Sequence, residues 1–109
     1  MANTFKLKPT ANVGVTTVGI YTAPAATTTV VIGITLSNTS GSGVNVGVGI
    51  TRAGTTEDIK LLKNAPIPQG SSLEFMGGNK VVLETTDTLT VDSDTNNSVD
   101  AALTIMEIT

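Results

Sequence analysis

Between Val30 and Leu36 the chain alternates, with Val30, Ile32, Ile34 and Leu36 on one side and Val31, Gly33, Thr35 and Ser37 on the other. A period of two is the signature of a strand, because successive side chains leave a pleated backbone on opposite faces. The break Asn38-Thr39-Ser40-Gly41-Ser42-Gly43 has the chemistry of a loop. Beyond it Val44, Val46, Val48 and Ile50 alternate with Asn45, Gly47, Gly49 and Thr51. The simplest pairing for these two strands is an antiparallel hairpin.

Shorter patterns of the same kind occupy the rest of the chain. Residues 13–21 alternate loosely before the turn Ala23-Pro24-Ala25-Ala26, and residues 59–62 form a short strand before Asn64-Ala65-Pro66-Ile67-Pro68. Two prolines so close place that segment at a sheet edge or in a connection, since proline cannot donate to a ladder. Residues 73–76 and 80–84 are brief strands separated by Gly77-Gly78-Asn79, and Leu89 and Val91 share a face before the polar loop 92–98. The last strand sets Val99, Ala101, Leu103 and Ile105 on one side and Met106 and Ile108 on the other. About eight short strands with turn signals every 8 to 12 residues predict an all-β fold, a single small β-sandwich of jelly-roll or Ig-like type, over residues 11–109. Residues 1–10, with Phe5 and Leu7 among polar neighbours and then Pro9, read as an extended N-terminal arm, either a fraying terminus or one whose two apolar side chains dock on a neighbouring subunit.

Composition narrows the chemistry. The chain has 109 residues, enough for one modest core, and only three aromatic residues, so Val, Ile, Leu and Ala must fill it. Twenty threonines and 11 glycines suit strands and turns and are poor in helices. There is no His, Cys or Trp, which removes the usual general base, thiolate chemistry and disulfides, and an enzyme is not expected. The net charge is −3 and the six Lys and Arg are scattered, so nucleic acid lacks its electrostatic footprint. No run of 18 apolar residues exists and residues 1–15 do not have the form of a signal peptide, so no membrane partner and synthesis in the cytoplasm are expected.

Asp58, Asp87, Asp92, Asp94 and Asp100 all read as residues in or beside turns, where a solvated carboxylate caps backbone N–H groups. Asp92, Asp94 and Asn96 have the opening spacing of a calcium loop, but the sixth position would be Asn97 rather than Gly and the twelfth Leu103 rather than Glu. The better reading is a hairpin loop with Asn97 in a left-handed conformation. No metal or cofactor is therefore assigned. The sequons Asn38-Thr39-Ser40 and Asn96-Asn97-Ser98 carry no weight without a secretory signal. Folding alone leaves one feature unexplained: Gly33, Gly47 and Gly49 lie opposite the Val and Ile stripes, and glycine inside a strand weakens it unless something approaches closely. Together with Phe5, Leu7, Met106 and Ile108 they form the candidate subunit interface.

The order IYTAPAATTTVVIGITLSNTSGSGVNVGVGI, LLKNAPIPQGSSLEF, KVVLETTDTLTVDSD and VDAALTIMEIT resembles small virion structural proteins of tailed bacteriophages, cyanophages included, over roughly residues 18–109. The chain departs from that pattern at Thr85-Thr86-Asp87, where a glycine often precedes the Asp, which touches a turn only. The resemblance implies a non-enzymatic capsid decoration (cement) protein that binds and stabilises a shell lattice. It also implies major capsid protein or other virion subunits as partners, a homo-oligomer with a trimer favoured, and location in the virion. A neck, tail or baseplate-associated protein is the alternative, and a host-surface carbohydrate-binding module is a further one, with Tyr21 and Phe75 as its aromatic candidates.

Overall fold

The β-branched runs form strands, and where each strand goes is decided by which of its faces can be buried. The computed structural model describes residues 3–52, 58–75 and 80–109, and the described residues contain nine strands and no helix. These are β1 (Asn3–Val13), β2 (Val18–Thr22), β3 (Thr28–Asn38), β4 (Val44–Thr51), β5 (Asp58–Ile67), β6 (Ser72–Phe75), β7 (Val81–Leu83), β8 (Thr88–Ser93) and β9 (Val99–Ile108). The first sheet runs β1-β9-β3, with β6 and β7 both pairing β3 on its far side; the second runs β2-β8-β4-β5. All pairings are antiparallel. The turn expected at Gly77-Gly78-Asn79 and the centre of the one after Arg52 lie outside the described residues.

The hairpin expected for β3 and β4 does not form. Strand β3 is in the first sheet and β4 in the second, so the loop from Thr39 to Gly43 carries the chain from one layer to the other. Both strands have one apolar side, and placing them in facing layers buries those two sides against each other. Asn38 holds this crossing. Its buried side-chain amide donates to the Ser42 and Ile67 carbonyls at 2.8 and 3.0 Å, while its Oδ1 accepts from the Ser40 N–H at 2.9 Å.

The core face of β3 also differs from strict alternation. Val31 pairs Ile105 and Gly33 pairs Thr104, so Ile32 is an extra residue in a β-bulge. One inserted residue reverses the sides of everything before it. Thr29 and Val31 are therefore buried together with Ile34 and Leu36, and Val30 turns to the outer face. The two inner faces meet in a core of Val31, Ile34, Leu36, Val99, Ala101, Leu103 and Ile105 from the first sheet and Val44, Val46, Val48, Leu89 and Val91 from the second. Each fully buried Val, Leu or Ile contributes about 1.5–3 kcal/mol relative to exposure.

Residues 3–10 form the N-terminal part of β1, an edge strand laddered to β9 from Asn3 opposite Ile108 to Thr10 opposite Ala101. The prolines behave as their chemistry requires: Pro9 lies in edge strand β1 and Pro66 in edge strand β5.

A candidate contact surface

Strand register fixes what the outer face of the first sheet displays. Directly opposed residues of an antiparallel pair share a face. Phe5 opposes Met106, Met106 opposes Val30, and Val30 opposes Val82, which makes one apolar ladder across four strands. Phe5 is 69% exposed and Val82 52%. One row along, Leu7, 63% exposed, opposes Thr104, which opposes Gly33. On the other side of the ladder Asn3, Ile108 and Thr28 are in line. Of the candidate interface residues, Phe5, Leu7, Gly33, Met106 and Ile108 are thus brought onto one face. A Cβ built on Gly33 would meet nothing within 4 Å, so this part of the face is open.

Toward the far end of β1 the same face becomes concave. Pro9, Ala102 and Thr35 are in line across β1, β9 and β3. Ala102 is the smallest of the three, and with Ser37 and Asp100 they border a hollow of about 200 Å³.

Gly47 and Gly49 are placed elsewhere, on the outer side of the second sheet, and they are covered within the chain. A Cβ on Gly47 would lie 2.6 Å from Asp92 Oδ1, and one on Gly49 would collide with the Asp58 carboxylate. Lys60 Nζ bridges the two acids, 2.8 Å from Asp58 and 3.5 Å from Asp92. Thr90 donates to Asp58 at 2.9 Å and Thr17 to Asp92 at 3.1 Å. Burial acts to raise the Asp58 pKa, but the hydrogen bonds from Lys60 and Thr90 outweigh it and hold the carboxyl below its ordinary range. Asp58 and Asp92 are accordingly strand residues in an ion-paired cluster rather than turn caps. Asp87, by contrast, is in its expected turn but buried, accepting from the Glu84 N–H and from both the Nε and Nη2 of Arg52.

On the inner side, a polar network ties four strands together. Tyr21 of β2 is 7% exposed, and its hydroxyl donates to Glu107 Oε2 at 2.6 Å and is 2.8 Å from the Thr29 hydroxyl. Lys6 Nζ of β1 lies 2.9 Å from the other Glu107 oxygen. Burial, and then the Glu107 hydrogen bond, push Tyr21 up to about 12; the bonds from Tyr21 and Lys6 hold Glu107 below the usual carboxylate range. Tyr21 is therefore not available as a sugar platform, and of Phe75 only the backbone is described. Sequence reasoning missed Glu107, although continuing the inward alternation of β9 past Ile105 reaches it.

The loop after β8 spends its polar groups on the backbone of β4 and on its own. Asp94 Oδ1 accepts from the Asn45 N–H, Ser98 Oγ donates to the Thr95 carbonyl, and Asn97 takes the left-handed φ of 51°. No group of three acidic residues placed to hold a metal occurs among the described residues.

The two-layer winding defines the class of the fold, a jelly-roll-like sandwich. No family model matches the sequence, and no curated protein matches it by sequence. Solved structures share the fold. A subunit of Bacillus endospore appendages, described as disulfide-linked pili, aligns over 100% of this chain and 91% of its own with a TM-score of 0.56 at 15% identity. The capsid of Helicobacter pylori bacteriophage KHP30 aligns over 98% of this chain and 87% of its own, with a TM-score of 0.57 at 11% identity. The infectious bursal disease virus Gx strain gives 0.58 at 13% identity, with 96% of this chain aligned to 32% of that one. The folds this chain resembles are thus those of proteins that build shells and fibres.

Proposed function

We propose that this chain is a non-enzymatic structural subunit of a bacteriophage virion, a decoration (cement) protein that binds the capsid lattice in many copies through the outer face of its first sheet. The observation that carries this reading is the apolar ladder Phe5, Met106, Val30 and Val82, whose two ends are more than half exposed. Folding does not require such a ladder on an outer face, and contact with another surface does. The shared fold with capsid and pilus subunits supports the same reading. A linkage by disulfides, as in the Bacillus appendages, is not available to a chain without cysteine. Repetition compensates for modest contacts, because lattice binding is multivalent and each bound copy stabilises the assembled shell by linkage.

Cryo-electron microscopy of the particle that the gene's phage produces tests the proposal. Hundreds of copies on the capsid exterior, lost when Phe5 and Leu7 are both changed to Ser, are expected. Absence from the exterior, or a handful of copies at the neck or tail, overturns it.

A further inference from the structure

The outer face of the first sheet has two unlike halves. Phe5 and Leu7 stand proud at one end of β1, 69% and 63% exposed. Four residues on from Phe5, Pro9 and Thr35 wall a hollow of about 200 Å³ over Ala102. An enclosed cavity of about 150 Å³ accepts a benzene ring; this hollow is open on its outer side, so it has room for one face of the Phe5 ring. A knob and a matching hollow on one face are the requirement for an isologous contact, in which the same patch serves both partners and each contact occurs twice.

We propose that this face pairs with the same face of a second copy, with Phe5 of each chain seated in the Pro9, Ala102 and Thr35 hollow of the other. The inference names a second copy as the occupant of this surface in solution, so a paired copy separates before the same face meets a lattice; it rests on the proposed function only in treating the face as a contact. Charge favours a second copy. From Asn3 to Pro9 on β1, Ala102 to Ile108 on β9 and Thr28 to Thr35 on β3, every outward side chain is uncharged. Asp100 borders the hollow itself, and Glu74 lies beside Thr35. Two copies of a chain with net charge −3 can therefore meet here without opposing like charges. Sheets pack face to face about 10 Å apart and about 30° rotated, which lets side chains of both interdigitate. Four strands about 4.8 Å apart and seven residues at about 3.3 Å give a face of roughly 400 Å². That is about half of what one partner buries in a standard stable complex. The contact is accordingly weak in solution, with a Kd in the micromolar range or above.

Sedimentation velocity of the full chain from about 5 µM to 1 mM tests this without any particle. A reversible dimer is expected, at least tenfold weaker in Phe5→Ser, which removes the knob, and in Ala102→Leu, which fills the hollow. Both positions point away from the core, and unchanged circular dichroism and Tm verify folding. Mixing the two variants in equal amounts gives a heterodimer tighter than either variant's homodimer and weaker than the original, because Phe5 of the Ala102→Leu chain meets the open hollow of the Phe5→Ser chain and remakes one of the two contacts. A monomer at all concentrations, a trimer mass, a dimer indifferent to both substitutions, or no recovery on mixing overturns the inference. Dimerisation in solution together with empty capsid exteriors would refute the proposed function alone.

Discussion

Tyr21 is the only tyrosine in the chain, so its ionisation can be followed by tyrosinate absorbance without interference. Its folded pKa of about 12 exceeds the unfolded value of about 10 because burial and the Glu107 carboxylate both oppose a phenolate. The folded state therefore holds this proton more tightly than the unfolded state. The stabilisation is fully present below pH 10 and is lost as pH rises toward 12. An absorbance midpoint near 12 in buffer and near 10 in urea is expected; a midpoint near 10 in both would mean that Tyr21 is neither buried nor bonded to Glu107. Glu107 has the opposite sign: its lowered folded pKa gives stability above about pH 4.3 that falls away in more acidic solution. Gly49 supplies a second test at this scale. Any Cβ there meets the Asp58 carboxylate and the Ile59 carbonyl, so Gly49→Ala is expected to cost about 1–3 kcal/mol in urea unfolding. The cost should shrink in an Asp58→Ala background, since the two sites share the clash.

At the scale of elements, β3 shows how one residue redirects a strand. Its sequence alternates without a break, and only the pairing with β9 reveals that Ile32 is extra. Val31 is fully buried while Ile32 lies in the bulge, so Val31→Ala should cost about 1–3 kcal/mol and Ile32→Ala less than half as much. Equal costs would mean that the bulge lies elsewhere. Strand β1 makes the complementary point. Phe5, Leu7 and Pro9 between polar residues are legible as an extended segment, but that it ladders to β9 is a long-range fact. Truncating residues 1–8 would bare the β9 edge as well as remove the knob, which is why substitutions are the cleaner probe. Where β4 is concerned, sequence and structure agree on the buried side of Val44, Val46 and Val48.

For the whole molecule, the sandwich leaves two outer faces with different characters. The second sheet covers its glycines with Asp58, Lys60 and Asp92, a charged and internally satisfied surface. The first sheet presents uncharged and apolar side chains over β1, β9 and most of β3, with Asp100 and Glu74 toward one end. If contact is made through the first, Phe5→Ser with Leu7→Ser removes lattice binding while Tm stays within a few degrees, because neither side chain supports the core.

Local chemistry determined the strands, the turns, the aliphatic core and the absence of His and Cys, since periodicity and residue type are properties of neighbours along the chain. Tertiary structure decided which strands share a layer, where β3 bulges, that Glu107 is buried, and that Gly47 and Gly49 lie beneath carboxylates while Gly33 stays open. Those outcomes depend on residues tens of positions apart, Gly47 with Asp92 and Tyr21 with Glu107, and a period of two carries no information about which distant strand will cover a face.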